Sequence, residues 1–244
     1  MTNVFHIFRR ELRVCFASPL AYVVLVVFVA VTNFLFFFYN PFFLIGEADV
    51  RALFDVLPWL LLLLVPAITM RLWAEERRQG TMEFLLTMPV RDGEVVAAKF
   101  LASLAFLIVA IALTLPIPLT VNALAEGGRG VDSGPIVGGY AGAVLLGASY
   151  LTIGMCASYL TSSQIIAYIL GVVVCFALLI IGQPVLTVNV APGLAPVLSY
   201  LGLGAHYERL LRGILDARDV VYYVSVIAFF LYVNARLLES RSYR

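Results

Sequence analysis

The sequence predicts an all-α, polytopic membrane protein, and three observations carry that prediction. Of 244 residues, 62% are hydrophobic and 13% charged, whereas soluble domains hold about 45–50% apolar and about 25% charged residues. The apolar residues gather into six runs that reach the roughly 20 residues a helix needs to cross a bilayer. Turn formers fall between the runs. Too little polar surface remains to cover a water-soluble globule.

The runs cover about residues 20–40, 54–73, 98–120, 136–160, 165–188 and 220–238. The first is membrane-length, and no small-residue cleavage site follows it, so it reads as a retained span and not as a signal peptide. Before it, Val4, Phe5, Phe8, Leu12 and Cys15 or Phe16 recur at helical spacing, with Arg9, Arg10 and Arg13 between them. Ala17-Ser18-Pro19 breaks the pattern, because the residue before proline disfavours helix. Residues 1–18 are therefore expected to form an elbow helix on the cytoplasmic surface, arginines toward the headgroups.

The links between the runs are short: "NPFFLIGEADVR", "AEGGRGVDSGP" and a very tight "TSSQ". They leave no room for a second domain, so residues 1–244 form one membrane domain. Pro58, Pro66, Pro116 and Pro118 each remove a backbone hydrogen bond and can kink a span. Gly138, Gly142 and Gly147 permit close helix contact in the fourth run, within the chain or across a dimer seam.

Arginine and lysine near the span ends set the orientation. With the N-terminus inside, eleven cations face the cytoplasm, among them Arg71, Arg77, Arg78, Arg91 and Lys99, and five face outward. Both termini and residues 75–93 are thus expected inside. Residues 189–219 then lie outside, too glycine-rich and too short for a seventh span. Tyr207, Leu210, Leu211, Ile214 and Leu215 share one helical face there, with Glu208, Arg209 and Arg212 on another. This suits either a re-entrant helical pair or an amphipathic helix lying on the surface.

Several function classes find no support. The chain has no phosphate loop, no H-E-x-x-H and no G-x-S-x-G, so no catalytic residue, cofactor site or metal site is expected. Cys15, Cys156 and Cys175 are scattered through apolar surroundings and read as packing. His6 and His206 are far apart and expected at membrane interfaces. The span interiors carry essentially no charge, which argues against ion coupling, and no basic run points to nucleic acid.

The charged stretch "EERRQGTMEFLLTMPV", residues 75 to 90, interrupts two apolar runs. Helix is expected to continue from the second span through "AEERRQ" and to end at Gly80 in the left-handed conformation. Thr81 can cap a new helix with Glu83 in its first turn, and Pro89 ends it within about two turns. Asp92 can cap the next helix, with Glu94 in its first turn. A two-turn helix is unstable alone. Met82, Phe84, Leu85, Leu86 and Met88 can bury in headgroups, in the base of the bundle or in a separate protein.

These residues carry a resemblance. "RRQGTMEFLLTMPVRDGEVVAAKF" resembles the coupling-helix region of type-2 ATP-binding-cassette (ABC) exporter permeases, with Gly80, Thr81, Glu83, Leu85, Leu86, Thr87, Pro89, Lys99 and Phe100 on its pattern. The C-terminal part is similar to the end of the same family, through Arg212, Gly213, Asp216 and Tyr222. The gliding-motility type permeases are most alike. The resemblance implies a six-span permease subunit in a bacterial inner membrane, whose coupling helix (Gly80 to Pro89) meets cytoplasmic ABC ATPase subunits that hold ATP and Mg. It also implies a second permease subunit, identical or different, which in some systems carries a large extracytoplasmic domain, and a re-entrant segment with Tyr207, Arg212, Gly213 and Asp216. The contact with lipid follows from the spans themselves. A membrane scaffold or sensor that recruits a cytoplasmic partner through the same loop is the competing class.

Overall fold

A computed structural model of the chain describes residues 2–39, 50–80, 92–124, 132–183, 194–213 and 216–242. Among these residues every regular element is helical. The helices are α1 (Thr2–Ala17), α2 (Pro19–Phe34, extended by a π-helical turn Leu35–Tyr39), α3 (Arg51–Thr69), α4 (Ala74–Gln79) and α5 (Asp92–Ala112). They continue as α6 (Pro116–Leu124), α7 (Ser133–Leu160), α8 (Gln164–Ile180), α9 (Ala195–Leu201), α10 (Leu203–Leu210) and α11 (Ala217–Ser242).

Five stretches are long and apolar enough to cross a membrane: 19–38, 51–79, 92–124, 133–160 and 217–240. The apolar helix α8 is shorter, at 17 residues. The expected helix from the second span through "AEERRQ" is interrupted by a turn at residues 70–73, where Pro66 still accepts from Met70 N–H at 2.9 Å. A second turn at 113–115 precedes Pro116, which opens α6 where its missing N–H costs nothing.

Helix α7 is the hub, packed on α3, α5, α8, α10 and α11. Its small residues explain why. An added Cβ at Gly139 would lie 2.5 Å from the Phe54 ring of α3, and one at Gly147 would lie 2.7 Å from Leu107 of α5. The close approaches that Gly138, Gly142 and Gly147 permit are therefore made inside this chain. Phe54, Leu57, Leu61, Val65, Tyr150 and Leu151 fill the core around them.

Side-chain bonds fix which helix ends lie together. Ser18, Arg71, Trp73, Lys99, Ser158 and Leu237 meet at one end through a chain of polar contacts and the Tyr159 hydroxyl. Phe54, Gly138, Leu179, Tyr207 and Tyr222 mark the other. The long helices consequently alternate in direction. We refer to the Lys99 end and the His206 end.

Candidate functional site

At the Lys99 end stand Gly80 and Asp92, the described residues that border 81–91. Gly80 takes the left-handed conformation, φ 69°, and ends α4, as its sequence position led one to expect. Asp92 and Glu94 stand in the first turn of α5, where the helix dipole favours carboxylates. Thr81, Met82, Glu83, Phe84, Leu85, Leu86, Met88 and Pro89 lie outside the described residues.

The two stubs that hold this segment are anchored by buried polar groups. Trp73 N–H and Ala74 N–H both donate to Ser158 Oγ, each at 3.1 Å, and that hydroxyl donates in turn to the Met70 carbonyl. Arg77 donates to the Tyr159 carbonyl. Four backbone groups at a helix start lack intrahelical partners, so α7 supplies here what the turn at 70–73 leaves unmet.

Lys99 is the centre of this end. Only 1% of it is exposed, and its Nζ lies 2.7 Å from Glu76 Oε1, 3.3 Å from Glu11 Oε2 and 3.1 Å from the Leu72 carbonyl oxygen. The ammonium also stands 5.0 Å from the Trp73 ring centroid, within cation–π range. One cation thus joins α1, α4 and α5. Burial alone would raise the Glu11 carboxyl, but Lys99 and Arg10 outweigh it and hold that group below its ordinary value. Burial, with Glu11 adding to it, pushes the Cys15 thiol up, so it stays an unreactive packing residue.

The charge bias counted Lys99 among the cytoplasmic cations, with no sign that it would be covered. It is buried instead, because Glu11 falls on the packed face of α1 four residues from Ile7 and Cys15. Phe5 and Val14 are the exposed apolar residues of that helix, at 60% and 61%. Glu11 was absent from the expected apolar face. The signal available was a lone acid among three arginines.

At the His206 end, α9 and α10 form a helical pair, of which α10 is inserted against the bundle. Gly202, between them, meets Gly182 so closely that an added Cβ would be 2.4 Å from the Gly182 Cα. Leu203, His206, Tyr207 and Leu210 are buried, while Glu208, Arg209 and Arg212 are exposed, the division that helical spacing predicts. Through its buried face α10 packs on α7 and α8.

Tyr207 donates to the Phe54 carbonyl at 2.9 Å. Gly213 has φ 78° and packs on Gly134. Arg212 and Asp216 are exposed, and Asp216 accepts the Arg218 N–H at 3.0 Å. A cluster forms from the buried His206 and Asp219 with the half-exposed Arg209. His206 Nδ1 lies 2.6 Å from Asp219 Oδ1, its Nε2 lies 2.8 Å from the Tyr200 carbonyl oxygen, and Arg209 Nη2 donates to Asp219 Oδ1 at 2.7 Å. The carboxylate beside it raises the Arg209 guanidinium further. The Tyr222 ring stacks on His206 at 3.7 Å, and the Tyr222 and Tyr223 hydroxyls donate to the Leu201 and Leu203 carbonyls. His206 was expected at an interface; it is 1% exposed.

No group of acids, histidines or cysteines among the described residues could hold a metal. Both ends join helices. The fold is that of a multi-pass helical membrane protein, with five stretches long and apolar enough to cross a bilayer. A family model described as "ABC-2 family transporter protein" matches residues 7–238, and the chain belongs to that family. It is a membrane permease of an ABC transporter, and its family implies partnership with an ABC ATPase subunit. No curated protein matches the chain.

Proposed function

We propose that this chain is the permease subunit of a type-2 ABC exporter of the gliding-motility type, driven by separate cytoplasmic ATPase subunits that dock on residues 81–89. The ATPase subunits hold ATP and Mg, and this chain hydrolyses none. A second permease subunit completes the translocation unit, and the work done is export or mechanical displacement across the membrane. Six helices cross the bacterial inner membrane: α2, α3, α5 with α6, α7, α8 and α11. Both termini and the Lys99 end face the cytoplasm, as the arginine bias suggests. Helix α8 covers about 26 Å at 1.5 Å per residue, and the turn after it extends it toward the roughly 30 Å hydrocarbon core.

One observation carries this reading. Lys99 ties α1, α4 and α5 together at the point where the chain leaves for residues 81–91. A push on that segment has two stiff roots, one in α4 and one in α5, and a buried ammonium that moves both with the elbow helix. The coupling residues Met82, Glu83, Phe84, Leu85, Leu86 and Met88, with Thr81 and Pro89 at their borders, are the surface on which such a push would act. At the other end, Tyr207, Arg212, Gly213 and Asp216 belong to an extracytoplasmic re-entrant segment.

The test is copurification of the ATPase subunit with Phe84→Asp/Leu85→Asp. Each large apolar side chain contributes roughly 1.5–3 kcal/mol when buried, and a carboxylate in an apolar groove adds a further penalty. The variant should insert normally and lose the ATPase subunit. Normal insertion with wild-type amounts of bound ATPase would overturn the docking claim.

A further inference from the structure

A cavity of about 580 Å³ opens at the Lys99 end between α1, the start of α2 and the turn that follows α3. That volume is in the ~300–1,000 Å³ range of small-molecule sites. Val14, Ala21, Val24, Ile68 and Phe106 line one side; Arg10, Glu11, Arg71, Glu75, Glu76 and Lys99 line the other. The cavity is amphipathic, and apart from Val14 those apolar residues belong to α2, α3 and α5, the helices that run into the membrane.

The charges of its polar side are unequally matched. Arg10 pairs with Glu11 at 2.7 Å, and Lys99 pairs with Glu11 and Glu76. Arg71 has no carboxylate partner among the described residues. Its Nη1 donates to Ser18 Oγ at 2.7 Å, and its Nε is covered yet has no acceptor. A partly buried guanidinium with an idle donor is costly, and its planar fork fits phosphate oxygens. Glu75, four residues on, lines the same space; its carboxylate accepts from the Gln79 amide and lies 3.8 Å from Arg78.

We propose that this cavity holds a zwitterionic glycerophospholipid, with its phosphate on Arg71, its ammonium toward Glu75 and the upper part of one acyl chain along Val24, Ile68 and Phe106. The choice of a zwitterion follows from charge. Three carboxylates and three cations line the polar side and balance one another, so a zwitterionic headgroup keeps that balance, whereas a headgroup with a net negative charge would add one charge that no cation there is left to offset. A bound lipid would wedge between the elbow helix and the first two spans, beside the Lys99 cluster.

Native mass spectrometry of the full chain in complex with its partner subunits, washed in detergent, tests this. The probes are dioleoyl phosphatidylethanolamine, dioleoyl phosphatidylglycerol and inorganic phosphate. The wild type should retain phosphatidylethanolamine through washing and prefer it to phosphatidylglycerol. Arg71→Met should cut retention about tenfold or more, the scale of lost hydrogen bonds to a charged group. Ala67→Phe fills the cavity while Arg71 and its partner Ser18 are kept in the sequence, so its loss of lipid separates occupancy of the cavity from misfolding caused by removal of Arg71. Equal retention of both lipids, or retention unchanged in both variants, would overturn the proposal. So would displacement of the lipid by inorganic phosphate, which would make Arg71 an anion site alone.

Discussion

The two ends of the bundle both bury a charged cluster, and they are built in opposite ways. At the His206 end, His206, Arg209 and Asp219 lie within fourteen residues of one another in sequence and tie α10 to the start of α11. At the Lys99 end, Glu11, Glu76 and Lys99 come from three distant segments and one ammonium serves two carboxylates. A local cluster stiffens one turn of the chain. A long-range cluster makes separate helices move as a body. The difference teaches why the proposed coupling is sought at the Lys99 end: one cation there joins α1 to both α4 and α5.

Removing the shared cation should break that contrast most severely. Lys99→Met leaves Glu76 without this cation and Glu11 with Arg10 alone, and losing one partner of a buried ion pair costs about 3–5 kcal/mol. The thermal unfolding midpoint in detergent should fall more than for any other substitution named here. The His206 end offers a backbone test of its own. Gly138→Ala would put a Cβ 2.3 Å from the Leu210 carbonyl oxygen, so α10 must back away from α7, at about 1–3 kcal/mol for such overpacking. Proteolysis of the α9–α10 pair should speed up while the Lys99 end keeps its wild-type protection.

The smallest effect is a response to acid. Glu11 has its folded value held below the ordinary 4.5, so its contribution is complete above 4.5 and is lost as pH falls through that lower folded value. Thermal midpoints measured on acidification below 4.5 should drop further in the wild type than in Glu11→Gln, which has no carboxylate there to protonate.

Much of this was legible in the sequence, and the residues show why. The apolar runs marked the long helices, because burial in lipid leaves a composition signal that needs no tertiary information. The faces of α10 were readable from spacing, since Tyr207 and Leu210 are buried and Glu208 and Arg209 exposed, as a 3.6-residue period requires. Gly80 ends α4 in the left-handed region that a non-glycine residue seldom enters. What stayed hidden was pairing across distance. Nothing local says that Glu11 will meet Lys99, or that Ser158 will serve Trp73 and Ala74. His206 was hidden for another reason: a histidine near a span end fits an interface as well as a buried stack, and only Asp219 and Tyr222 decide between them.

The account centres on the claim that the ATPase meets the Lys99 end through residues 81–89. Photo-crosslinking tests it directly, with a benzophenone amino acid placed once at Phe84 and once at Tyr200, which is 63% exposed near the His206 end. In membranes that contain the ATPase subunit, the Phe84 position should give a covalent adduct with it and the Tyr200 position none. An adduct from Tyr200, or none from Phe84 while the ATPase subunit remains bound, would contradict the account.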